Sequence, residues 1–160
     1  MNLTPSTSNQ KALALGAVAG MRAMTAPAIL SDHFAESPSL LLDGSNMNYF
    51  QKSGVATGMK VLAVAELIGD KLPFTPKRII PMQLIPRVFS GALVGAAIAE
   101  SNGDSKITGG LLGVVGALAS TYAFFYLRKK LRKATGLPDA AFALMEDALA
   151  LKMGTAALKM

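Results

Sequence analysis

The segment Ile107 to Leu127 (ITGGLLGVVGALASTYAFFYL) runs without one charged side chain. As an α-helix rising 1.5 Å per residue it reaches across the roughly 30 Å hydrocarbon core of a bilayer. Arg128, Lys129, Lys130, Arg132 and Lys133 follow at once, where a cytoplasmic anchor of a membrane helix belongs. These two features predict an integral membrane protein, and the rest of the chain is consistent with that expectation.

Three further apolar stretches are present, so the sequence predicts an all-α, polytopic membrane bundle. Helices are expected over about 12–30, 55–72, 87–99 and 107–127, after a flexible N-terminus at 1–11. A last segment, 139–158, is long enough to cross but carries Glu146, Asp147, Lys152 and Lys159. Phe142, Met145, Leu149 and Met153 recur there at helical spacing, so it reads either as an amphipathic interfacial helix or as a fifth membrane helix. Residues 12–160 then form one membrane domain.

Hydrophobic residues make up 51% of the chain, and mean hydropathy is +0.39. The apolar mass is mostly Ala, Leu, Val, Met and Gly, a composition suited to helices that approach closely in lipid. Each of the four stronger helices carries glycines four apart: Gly16 and Gly20, Gly54 and Gly58, Gly91 and Gly95, Gly109 and Gly113. These are expected at helix contacts within the bundle or between copies of the chain.

With no cysteine and a single histidine, His33, disulfides, thiolate catalysis and Cys-based metal centres are excluded. No nucleophile elbow, phosphate loop or His-x-x-x-His pair occurs, so an enzyme is not expected and no cofactor is implied. The net charge of +6 is concentrated in the anchor run without interleaved aromatics, which argues against nucleic acid as a partner. Loop charge alternates along the chain: acidic around His33, basic between the second and third helices, acidic around Asn102, basic after Leu127. The positive-inside rule applied to this pattern predicts a multi-pass protein of the cell (inner) membrane with a cytoplasmic N-terminus.

The chemistry-bearing residues are the charges inside the apolar stretches. Arg22 lies halfway along the first and Glu66 deep in the second, with Asp70 four residues on and Lys71 beside it. Charge at such depth must face protein or water. Glu146 and Asp147 form a second acidic group, 80 positions after Glu66. Arg22, Glu66, Asp70, Lys71, Glu146 and Asp147 are therefore the candidate site for an ion, a proton or a small solute. The simplest structural role for the first pair is an Arg22–Glu66 bridge that fixes helix register.

The stretches AGMRAMTAP (Ala19 to Pro27), AELIGDKLP (Ala65 to Pro73) and MED (Met145 to Asp147) resemble the uncharacterised membrane-protein family described as domain of unknown function 4126, over roughly residues 12–155. That resemblance implies a small helical membrane protein and no particular activity. Two function classes follow: a transporter or exchanger of cations, protons or a small solute using the buried carboxylates, or a non-catalytic subunit or scaffold of a larger membrane complex. The expected partners are the bilayer and a further protein surface, in a homo-oligomer or such a complex.

Overall fold

The computed structural model describes residues 7–69, 80–136 and 138–160. Among them there are six α-helices and no strand: α1 (Thr7–Met21), α2 (Thr25–Glu36), α3 (Ser53–Gly69), α4 (Pro81–Ser101), α5 (Lys106–Thr135) and α6 (Asp139–Lys159). Two short 3₁₀ turns, Leu40–Leu42 and Asn48–Gln51, lie between α2 and α3.

The centre of the fold is the packing of α1, α4 and α5 on one another, and glycine makes it possible. A Cβ added at Gly16 would run into the Gly113 carbonyl, and one at Gly20 into Ala117 and Ser120. A Cβ at Gly91 would stand 2.6 Å from the Gly113 carbonyl oxygen, and Gly95 and Gly109 exclude each other's side chains in the same way. Six of the eight expected packing glycines thus sit where backbone meets backbone. Gly54 and Gly58 on α3 do not: a Cβ on either would meet nothing within 4 Å. Helix α3 is held through α2 and the second 3₁₀ turn instead.

The same contacts give the helix directions. Along α1, Gly16 lies at Gly113 and Gly20 at Ala117 and Ser120, so α1 runs parallel to α5. Along α4, Gly91 lies at Ala117 and Gly95 at Gly109, so α4 is antiparallel to both. Val18 beside Gly154 and Arg22 beside Asp147 set α6 antiparallel to α1. Ile29 packs against that same Gly154, so α2 rises along α6, back the way α1 came.

The first apolar stretch is therefore a correction to the sequence reading. Residues 12–30 do not form one crossing helix. The chain enters as α1, breaks over Arg22, Ala23 and Met24, and returns as α2 to the end from which it started. Pro27 supplies the reason. In an uninterrupted helix it would leave the Ala23 carbonyl without its donor and press its ring against that carbonyl. In the first turn of a new helix its missing N–H costs nothing.

Other boundaries shift for local reasons. Helix α1 begins at Thr7, ahead of the expected start at Ala12, and Ser8 is already buried. The expected polar connection from Ser31 is helical to Glu36. Helix α4 starts at Pro81 rather than Arg87 and accommodates Pro86 inside it. Helix α5 continues through its basic run to Thr135 and stops at Gly136, whose φ of 66° provides the left-handed cap. The expected end of the second helix, residues 70–72, lies outside the described residues.

The two acidic connections meet at one end of the bundle. Ser39 Oγ donates to the Ser101 carbonyl at 3.3 Å, Lys106 Nζ to Ser45 Oγ at 3.3 Å, and Lys106 pairs with Glu100 at 2.6 Å. The basic end of α5 lies at the other. Among the described residues, α4 and α5 are the helices long and apolar enough to cross a membrane. At 15 and 12 residues, α1 and α2 are each too short to do so alone.

The packing account predicts opposite outcomes for two glycine substitutions. Gly113→Ala drives a methyl into the Gly91 carbonyl and should cost about 1–3 kcal/mol. Gly58→Ala, on an open helix face, should gain about 0.5–1 kcal/mol of helix stability. Denaturant unfolding in detergent reads both, and equal responses would contradict the assignment of the two glycines to different environments.

Candidate functional site at the tip of the helix hairpin

A helix broken inside a bundle exposes the donors of one half and the acceptors of the other, and every buried backbone group needs a partner. Here polar side chains from three other helices supply partners. Glu66 Oε1 accepts from the Ala23 N–H and Oε2 from the Met24 N–H, both at 2.8 Å. The carboxylate sits where the macrodipole of α2 is positive, so charge and hydrogen bonding act together. Arg87 Nη1 donates to the carbonyls of Gly20 at 2.9 Å and Met21 at 3.0 Å, placing a cation at the negative end of α1.

Hydroxyl groups serve further carbonyls. Thr121 Oγ1 donates to the Gly20 carbonyl at 2.9 Å and Ser120 Oγ to the Ala17 carbonyl at 2.7 Å. Ser90 Oγ donates to the Ala23 carbonyl, the group that Pro27 cannot serve. The tip of the hairpin is thereby tied to α3, α4 and α5.

Arg22 itself points into α6. Its side chain has no solvent exposure, and Nε donates to Asp147 Oδ1 at 2.6 Å, with Nη2 on the same oxygen. Asp147 keeps 12% of its side-chain surface exposed and lines a cavity of about 410 Å³ between α2, α3 and α6. Ala28, Ile29, Val64 and Leu67 form its apolar walls, with Thr25 at the tip end, and the Asp32–Lys60 ion pair, 2.5 Å, stands toward the acidic end. Asp32 lies seven residues from Thr25, so the cavity spans about 10 Å along α2. Glu146, adjacent to Asp147, turns the other way and accepts from Arg128 at 2.9 Å.

The expected site residues therefore divide. Arg22, Glu66 and Asp147 converge on the hairpin tip, while Glu146 braces α6 against α5. Asp70 and Lys71 lie outside the described residues. The expected Arg22–Glu66 bridge is replaced by two separate contacts, Arg22 with Asp147 and Glu66 with the α2 backbone. The two acidic groups 80 positions apart do different work.

Arg87 is the residue that sequence reasoning missed. As the first residue of the helix expected over 87–99 it was not singled out, yet it is 1% exposed. The signal was Pro81, which opens α4 at its first turn and carries Arg87 more than a turn into the bundle. Among the described residues no cluster of three or more metal-ligating side chains occurs.

The capping role of Glu66 has a measurable consequence. In Glu66→Gln one of the two acceptor oxygens becomes an NH₂ group facing an N–H, and the charge at the α2 dipole is lost. Loss of a charge-assisted hydrogen bond costs about 1.5–3 kcal/mol, so the variant should unfold at lower denaturant than the native chain. Unchanged stability would show that the carboxylate does not hold the hairpin.

A comparison with curated proteins and one with solved structures each give no match. A family model does match, over residues 11–160, and so takes in α1 from its second turn, the other five helices and every residue of the tip. The chain belongs to the family described as domain of unknown function (DUF4126).

Proposed function

We propose that this chain is a multi-pass membrane protein of the cell (inner) membrane that moves a proton, a cation or a small solute past the hairpin tip, without enzymatic chemistry. In this reading α3, α4, α5 and α6 cross the bilayer and α1–α2 enters and leaves on one face. The cationic end of α5 is cytoplasmic by the positive-inside rule, which puts the start of α1 on the opposite side from that expected for a continuous first span.

The observation that carries the reading is Asp147. Its carboxylate is paired with a fully buried arginine and at the same time lines the cavity between α2, α3 and α6. Irregular backbone at membrane depth is tolerated where it is enclosed by protein or borders a polar cavity, and broken helices beside ionisable groups are a recurrent way of building a transport site. Arg22 holds Asp147 in place as a counter-ion. A proton or cation arriving through the cavity competes with Arg22 for the carboxylate, and that competition couples occupancy to the position of α6 against the hairpin.

A second reading, an accessory or scaffold subunit, is favoured by α3. Val61, Leu62, Val64 and Ile68 are exposed on it, and its two open glycines leave a face on which another helix fits. Co-purification of one fixed partner in mild detergent supports that reading, and repeated isolation of the protein alone counts against it.

Flux measurement on the purified protein separates the two. In proteoliposomes that report internal pH, an imposed gradient of mono- and divalent cations should drive proton movement, reduced at least tenfold in Asp147→Asn. Denaturant unfolding of the same variant shows whether the fold survives. Native flux in a folded Asp147→Asn protein would remove Asp147 from the pathway, and silence of the native protein across the panel would favour the subunit reading.

A further inference from the structure

We infer that the last three turns of α5 form a binding site for a phosphate-bearing group, supplied by the headgroup of an anionic phospholipid. The proposal rests on the membrane reading above but uses none of the hairpin-tip residues.

Phe125, Arg128, Lys129, Arg132 and Lys133 line a concavity of about 530 Å³ on the surface of α5. Their spacing of three and four puts all five on one face of the helix, over about 12 Å of its length. Lys130 is not part of this lining, so the cations are directed rather than simply sequential. The uncharged span ends at Leu127, so the concavity begins where the apolar surface stops. Phe125, stacked edge-on against Tyr126 at 5.4 Å, provides the aromatic pair typical of the headgroup level.

The charge balance favours an anion. Arg128 is committed to Glu146 at 2.9 Å, which fixes the guanidinium at the inner wall. Lys129 and Lys133 make no ion pair among the described residues and are exposed. Being at the C-terminus of α5, the site opposes the helix dipole, but that end is capped by Gly136 and the dipole contributes about half a charge against two lysines. A phosphodiester between Lys129 and Lys133 can take charge-assisted bonds from both while its acyl chains lie along Phe125 and the apolar span. Free phosphate offers the same headgroup chemistry without the chains.

Native mass spectrometry of the full-length protein in uncharged detergent tests the site, using phosphatidylglycerol, phosphatidylcholine and inorganic phosphate as probes. A basic side chain at an anionic surface is worth roughly fivefold in affinity. Lys129→Gln with Lys133→Gln should therefore weaken phosphatidylglycerol binding about 30-fold. The charge-matched Lys130→Gln with Lys159→Gln should weaken it less than fivefold. Preference for phosphatidylglycerol over phosphatidylcholine, with no displacement by millimolar phosphate, supports the lipid headgroup. Displacement by phosphate supports the same site with a free anion as its ligand. Equal weakening in the two double variants, or equal retention of both lipids, overturns the proposal. Carbonate extraction of the membranes separates this failure from the other. A protein that remains in the pellet while both variants bind alike loses the headgroup site only, whereas one released to the supernatant loses the membrane reading.

Discussion

The fold depends on keeping a broken backbone satisfied inside a packed bundle. Between Met21 and Thr25 the chain stops one helix and starts another inside a bundle of four further helices. The carbonyls of Gly20, Met21 and Ala23 and the N–H groups of Ala23 and Met24 would each carry a cost of about 1–3 kcal/mol if left bare. Glu66, Arg87, Ser90 and Thr121 reach them from α3, α4 and α5. Because these partners come from three different helices, the hairpin tip is also the point at which the helices are registered against one another.

The glycine contacts follow from the same requirement. A serine or threonine hydroxyl reaches a carbonyl on the next helix only when the two backbones are close. Ser120 and Thr121 bond Ala17 and Gly20 because Gly16, Gly20, Gly113 and Gly116 leave nothing between α1 and α5. Close packing and polar satisfaction are thus one arrangement, and a methyl added at the glycines would withdraw the donors from the hairpin. Helix α3 stands apart from this core and touches the tip through Glu66, which lets the cavity beside α2 and α6 exist.

Much of this is legible in the sequence, and the rest is not for identifiable reasons. Helix content, the long span of α5, the glycine contacts of α1, α4 and α5 and the presence of charge at depth all follow from local composition and spacing. Arg22, Glu66 and Asp147 stand out because charge in an apolar stretch is costly wherever it occurs. Which partner each takes is a property of tertiary register, so an Arg22–Glu66 bridge and the observed Arg22–Asp147 pair are equally compatible with the chain as text. The break after Met21 was marked by Pro27, but hydropathy averages over a single proline and reads residues 12–30 as continuous. Arg87 was hidden by the opposite bias, since a cluster of prolines before it suggests a loop when Pro81 in fact starts the helix.

The central claim is that the hairpin is held by Glu66 through the amides of Ala23 and Met24. Residue-resolved amide hydrogen exchange of the native protein and of Glu66→Ala tests it most directly. The structure predicts that the Ala23 and Met24 amides are protected in the native chain and exchange at least tenfold faster in the variant, with Leu15 to Ala19 unchanged. Equal protection of Ala23 and Met24 in both proteins would mean that these amides are bonded within an unbroken helix, and the hairpin account would be wrong.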